Sequence, residues 1–184
     1  MEVGMQKTLP EYFTFDDILL VPKKSLKSRN SACLRTRLTK NFSIDIPIMS
    51  ANMDTVTESS MMNALYDLGA VGILHRNCTV EYEVAELRKH IAHVGENSEG
   101  VPFCASVGTT DGHKARCDAL VSAGANVIVI DIAHGHADSV ADMVKYIKDK
   151  HEGVDVIAGN TATPEGVEFL CKAGADAVKI GIGP

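Results

Sequence analysis

Short apolar runs without polar alternation recur along the chain, at Ile46–Met49, Ala70–Leu74, Phe103–Val107, Val127–Ile130, Val156–Ala158 and Ala177–Ile180. Continuous apolar runs of this length are the mark of strands buried on both faces. Between them lie stretches with helical spacing. Ser59–Leu68 carries Met61, Met62, Leu65 and Leu68; Val80–Ile91 carries Val84, Leu87, Arg88 and Ile91; Lys114–Ala123 carries Ala115, Ala119 and Leu120. Asp138–Lys150 carries Val140, Met143, Val144 and Ile147, and Pro164–Ala173 carries Val167, Leu170 and Cys171. Thr163 is placed to cap the last of these, with Pro164 at its first helical position. Gly69, Gly124 and Gly174 each fall where a helix stops before a strand, the place for a left-handed residue.

Six strands alternating with helices predict a parallel α/β fold. A doubly wound nucleotide fold would carry a Gly-x-Gly-x-x-Gly turn after its first strand, and none follows Ile48. Polar residues instead follow nearly every strand: Asn52 and Asp54, His75 and Arg76, Thr109 and Asp111, Asp131 and His134, Asn160 and Thr161. A barrel collects the loops after all its strands on one face and builds its site there, so the pattern favours a (β/α)8 TIM barrel. Eight strands and about 250 residues make a complete one. Six strands in 184 residues are therefore expected to be its N-terminal portion, with open strand edges at Ile46–Met49 and Ala177–Ile180. The segment before the first strand, with Phe13–Leu20 and the Lys/Arg-containing stretch Lys23–Lys40, is expected to pack outside the barrel or cap its bottom.

Composition narrows the class. The formal net charge is −6 and no basic face is built, so nucleic acid and anionic membrane surfaces are not expected partners. No apolar stretch approaches the roughly 20 residues of a membrane span, and Met1–Phe13 lacks the apolar centre of a secretory signal. Five cysteines, Cys33, Cys78, Cys104, Cys117 and Cys171, show no metal-ligand spacing and read as free thiols of a cytoplasmic protein.

Three features carry candidate chemistry. Asp131 ends a strand; its carboxylate can accept from ribose hydroxyls, or cap a helix or anchor a loop. His134 and His136 stand two apart, but no third metal ligand with suitable spacing accompanies them. Gly181–Pro184 is a glycine-rich turn suited to a phosphate or monovalent cation, or an ordinary tight turn.

Seven segments then stand in order: FTFDDILLVP (13–22), TRLT (36–39), PIMSANMDTVTE (47–58), GILHRN (72–77), VIDIAHGH (129–136), IAGNTAT (157–163) and GADAVKIGIGP (174–184). Together they resemble the IMP dehydrogenase/GMP reductase family over essentially the whole chain. The resemblance implies a TIM barrel, homotetrameric when complete. It also implies a purine nucleoside 5′-monophosphate substrate and NAD or NADP as cofactor. In that family a cysteine thiolate attacks the purine at C2. Dehydrogenases pass hydride to NAD and hydrolyse the adduct to XMP, in GMP biosynthesis; reductases convert GMP to IMP and ammonia with NADPH. Forming a covalent adduct divides one difficult substitution into easier steps.

By motif, Ala51 and Met53 would lie against the nucleotide, and Asn160, Lys179 and Gly181 would line the purine side. Asp131 would hold the nicotinamide ribose with Ala133 beside it, Thr109 and Thr110 would face the cofactor's adenosine half, and Gly183 would give a carbonyl to potassium. The family's nucleophile belongs to a GPGSxCTT loop, of which Gly183 and Pro184 are the first two residues; none of the five cysteines occupies that position, so the catalytic cysteine is expected beyond Pro184 and the chain as given to be inactive. Too few residues separate Asn77 and Phe103 for the paired regulatory module most family dehydrogenases insert there, so residues 1–184 read as part of one catalytic domain. His134–His136, Thr55–Glu58 and Gly72–His75 resemble bacterial IMP dehydrogenases; Ser25–Arg29 and Ala51–Asp54 resemble GMP reductases. The preference falls on IMP dehydrogenase, with GMP reductase and a non-catalytic barrel piece as alternatives.

Overall fold

The computed structural model describes residues 13–24 and 28–182. The chain divides into residues 1–32 with 183–184, and residues 33–182. The first unit carries two short 3-10 turns, Phe15–Asp17 and Arg29–Ser31. The Asp17 carboxylate accepts from the Thr14 backbone N–H at 2.8 Å and its hydroxyl at 3.0 Å, which closes the first turn and holds the Asp17 carboxyl below its usual range. Ser25–Lys27, part of one reductase-like segment, lie outside the described residues.

The second unit is a curled half-barrel. Its strands are β3 (Met49–Ser50), β4 (Val71–Leu74), β5 (Cys104–Val107), β6 (Val127–Asp131), β7 (Asp155–Thr161) and β8 (Ala177–Ile180), after a hairpin of β1 (Thr36–Arg37) and β2 (Ser43–Ile44). The six strands are all parallel and lie in chain order, with β3 and β8 at the two edges. Helices α1 (Ser59–Asp67), α2 (Val80–Val94), α3 (His113–Ser122), α4 (Asp138–Lys150) and α5 (Pro164–Ala173) connect them. The first strand is displaced from the expected Ile46–Met49. Ile46 and Asp45 are instead tied by their N–H groups to the Gly69 carbonyl, so pairing with β4 begins only at Met49. Gly69, Gly124 and Gly174 all take positive φ, as the helix-to-strand junctions require. Thr163 Oγ1 accepts from the Gly166 N–H, the expected cap.

Alternate strand residues feed two cores. Leu74, Ala105, Val107, Ile128, Ile130, Val156 and Ala158 face the helices. Val71, Ile73, Cys104, Val127, Val129 and Ile157 face the hollow side, where Leu38, Phe42 and Ile44 of the hairpin region cover them. The hairpin thus caps the end where the strands begin, and a buried network fixes it there. Asp155, at the start of β7, accepts from the Thr39 hydroxyl at 2.6 Å, the Asn41 N–H at 3.0 Å and the Asn41 amide at 2.7 Å.

Helix α2 departs from the expected face. Arg88 is exposed, and Glu83, Glu86 and His90 are buried beside Leu87 and Val94. Each buried polar group meets a partner on a neighbouring helix: Arg116 of α3 for Glu83, Ser59 of α1 for Glu86 and Asn63 of α1 for His90. Burial pushes the Glu83 carboxyl from its ordinary 4.5 up to about 7, against the opposing pull of Arg116. Burial pushes His90 from 6.5 down to about 4, assisted by the nearby His93.

The two act oppositely on stability. Between about 4.5 and 7 the folded chain keeps a proton on Glu83 that the unfolded chain has lost, so Glu83's contribution falls as pH rises. His90 stabilises above its unfolded value of 6.5, and that contribution is lost as pH falls towards about 4. Glu83→Gln should therefore make stability rise more steeply with pH, gaining about 3 kcal/mol on the parent between those limits. Urea unfolding across that range checks this; parallel pH profiles for parent and variant would contradict it.

Candidate active site

The residues with chemistry gather where the strands end. Lys179 of β8 places Nζ 3.2 Å from Asp131 Oδ1 and 3.1 Å from Asn52 Oδ1. Those partners lie 48 and 127 positions away in sequence, so the one ammonium ties together the ends of β3, β6 and β8. The parallel stagger of the sheet makes this possible, because each strand delivers its last residues to the same rim. Lys179 can approach because Gly159 lies beneath it: a Cβ on Gly159 would sit 2.7 Å from both Lys179 Cβ and its carbonyl oxygen. Arg76, following β4, donates from Nη2 to the Asp131 carbonyl at 3.1 Å and fixes that backbone.

Asn160 is held on the same rim. Its N–H donates to the Ile132 carbonyl at 2.6 Å, and its own carbonyl accepts from the Gly135 N–H at 2.6 Å. The side-chain Nδ2 donates to the Gly181 carbonyl at 2.9 Å. That orients the amide so that Oδ1, buried and without a partner among the described residues, is an open acceptor. Gly181 is anchored by its N–H to the Thr161 carbonyl at 2.9 Å. Ala51 and Met53 are exposed in the loop after β3, and Ala133 is exposed after β6. Thr109 and Thr110 lie in a separate cleft of about 280 Å³ after β5, shared with Gly112, Lys114, Ser139 and Asp142.

The structure thus brings Asp131, Lys179, Asn160 and Gly181 to one rim and gives Thr109 and Thr110 a cleft of their own. Gly183 lies outside the described residues. His134 and His136 are exposed, and His136 packs on Phe169 with ring centres 4.9 Å apart. The sequence placed Asn52 and Arg76 among the polar residues that follow strands but assigned neither a role; their contacts with Lys179 and the Asp131 carbonyl supply it. Two larger clefts, of about 630 and 540 Å³, open at the opposite end, where the strands begin. They contain none of the strand-end residues, and in a parallel barrel the chemistry belongs to the other end.

Chemically, the rim offers a fixed ammonium, an acceptor-only carboxylate and an amide with an open acceptor. A carboxylate of this kind suits a vicinal diol, and the amide suits a heterocycle edge carrying an N–H. No cysteine there is an activated thiol. Burial raises the Cys78 thiol, with Glu83 adding to it; burial drives Cys117 up to about 12 and Cys104 further still. Cys33 and Cys171 are exposed, and Cys171 lies on α5, away from the rim. Iodoacetamide at neutral pH should therefore modify Cys33 and Cys171 first, Cys78 slowly, and Cys104 and Cys117 only after denaturation. Peptide mass mapping checks the order; rapid labelling of Cys78 would contradict it.

Residues 12–184 match the model of the IMP dehydrogenase / GMP reductase domain. The chain is 34% identical to the inosine-5′-monophosphate dehydrogenase of Borreliella burgdorferi, over 97% of this chain and 55% of that protein. It is 35% identical to the inosine-5′-monophosphate dehydrogenase of Cryptosporidium parvum, over 97% of this chain and 53% of that one. With the GMP reductase of Pediococcus pentosaceus the identity is 36%, over 94% of this chain and 51% of the reductase. The chain spans about half the length of these relatives.

Proposed function

The chain belongs to the IMP dehydrogenase/GMP reductase family of oxidoreductases, and from that premise we propose that it forms the purine-nucleotide and nicotinamide half of an IMP dehydrogenase. The observation that carries this reading is the Asn52–Lys179–Asp131 rim with the oriented Asn160 amide beside it. Asn160 Oδ1 accepts from the purine edge, Lys179 and Gly181 line the same side, and Ala51 and Met53 face the nucleotide from the β3 loop. Asp131 receives the nicotinamide ribose hydroxyls, with Ala133 beside it. The cleft at Thr109 and Thr110 takes the adenosine half. Bound there, NAD supplies the hydride acceptor.

These residues fit the cofactor: only one oxygen of the Asp131 carboxylate, Oδ1, is hydrogen-bonded among the described residues, and its side chain is 30% exposed. The covalent step requires a low-pKa thiol, and the raised Cys78, Cys104 and Cys117 do not supply one. We assign the nucleophile to a Gly-Ser-x-Cys-Thr-Thr loop outside residues 1–184, potassium to the Gly183 carbonyl, and assembly to a homotetramer.

GMP reductase is the second reading: Ser25–Arg29 and Ala51–Asp54 are reductase-like, too few residues separate Asn77 and Phe103 for the module most dehydrogenases insert there, and Asn52, within the second segment, accepts from Lys179. Assaying the product of the complete reading frame separates the two. IMP with NAD should yield XMP and NADH. Turnover of GMP with NADPH, without turnover of IMP with NAD, would transfer the assignment to the reductase.

A further inference from the structure

The loop that carries Ala51 and Met53 is gripped from outside the sheet. It joins β3 to α1 as residues 51–58, and it is closed internally at its start. The Thr57 hydroxyl, fully buried, donates to the Ala51 carbonyl at 2.6 Å and lies 2.7 Å from the Ser50 hydroxyl. At its far end, the α1 N-cap Glu58 makes no side-chain cap of its own. The capping comes from α2 instead. Glu86 Oε2 accepts the Ser59 N–H at 2.9 Å and also the Ser59 hydroxyl, while Lys89 holds Oε1. One turn earlier on α2, the Tyr82 hydroxyl donates to Glu58 Oε1 at 2.9 Å.

Glu86 is 3% exposed. A buried carboxylate is costly without partners, and here it meets an N–H that the helix itself leaves unpaired. The positive end of the α1 dipole adds to the attraction. The body of α1 is anchored independently. Met62 is fully buried against Gly72 of β4, so closely that a Cβ on Gly72 would lie 2.8 Å from Met62 Cγ. Removing the Glu86 contact therefore frees the first turn of α1 and the loop before it, while the helix stays seated.

We propose that Glu86 is the positioning residue of the nucleotide-facing loop: by holding Ser59 it sets where Ala51 and Met53 stand at the rim. The proposal rests on the reading of that loop as nucleotide-facing. Three variants of the full chain test it: Glu86→Ala, Glu86→Gln and Ser59→Ala, the last keeping the carboxylate and the fold while deleting one of the two Ser59 bonds.

Hydrogen exchange read by mass spectrometry should show residues 51–60 opening about tenfold faster in Glu86→Ala. Glu86→Gln and Ser59→Ala should give smaller rises, because the Gln amide oxygen can still accept from Ser59 without the charge or the Lys89 contact, and Ser59→Ala keeps the N–H bond; β5, β6 and β7 should be unchanged. IMP should slow exchange in the same segment of the parent, and its affinity should drop about tenfold in Glu86→Ala. Unchanged exchange at residues 51–60, or a uniform rise across the chain in all three variants, would overturn the assignment. A rise confined to the loop in a chain whose loop IMP does not protect would support the clamp and overturn the nucleotide reading instead.

Discussion

Asp155→Ala should lower the unfolding free energy by about 3–5 kcal/mol, a large share of the 5–15 kcal/mol typical of a folded domain. The carboxylate is 1% exposed and accepts three hydrogen bonds from Thr39 and Asn41. A bond to a charged group contributes about 1.5–3 kcal/mol, the three share one carboxylate and so do not add in full, and their loss strands a buried hydroxyl and an N–H. The hairpin of β1 and β2 would then loosen from Val71, Val127 and Ile157, exposing the hollow side of the sheet. Thr39→Val, which removes one of the three, should cost less. Urea unfolding measures both; an Asp155→Ala midpoint within error of the parent would show that the hairpin is held by apolar contact alone.

Asp131→Ala should weaken NAD far more than the nucleotide. On the proposed role of Asp131, a ribose diol would lose one charge-assisted hydrogen bond, about 1.5–3 kcal/mol, or roughly 10- to 100-fold in affinity. The folded state should survive, since the backbone carbonyl that Arg76 holds is untouched and the side chain is partly open to solvent. Asp131→Asn separates charge from shape: it keeps the oxygen near Lys179 but loses the negative charge that favours the diol. Calorimetric titration with NAD and with IMP, alongside a thermal scan, reads both effects. Unchanged NAD affinity with a collapsed thermal midpoint would make Asp131 a structural anchor of β6.

The alternation of strands and helices was legible because burial on both faces writes long apolar runs, as at Val127–Ile130, and because glycine marks the helix ends at positions 69, 124 and 174. A cap at the barrel's bottom from the segment before the first strand was among the expectations, and Leu38, Phe42 and Ile44 supply it, but the hairpin that forms it was not legible. Its strands are two residues each, too short to show a period, and its hold on the sheet comes from Asp155, more than a hundred residues away. Helix α2 misled for a related reason. Glu83, Glu86 and His90 look like a solvent face until Arg116, Ser59 and Asn63 supply partners that local spacing cannot reveal. At the rim, Asp131, Asn160 and Lys179 could be named from their motifs, but their mutual geometry could not. Lys179's choice of Asn52 depends on the curl of the whole sheet, which brings the ends of β3 and β8 to one ammonium.

The claim that the strand-end rim is the ligand site is tested most directly by a ligand footprint on the isotope-labelled chain. Adding IMP and then NAD, each at saturating concentration, should shift backbone amide resonances at Ala51, Met53, Asn160, Lys179 and Gly181 for the nucleotide, and at Thr109, Thr110, Asp131 and Ala133 for the cofactor. Shifts confined to the clefts at the other end, around Arg35 and Asp67 or around Arg37 and Lys40, would contradict it.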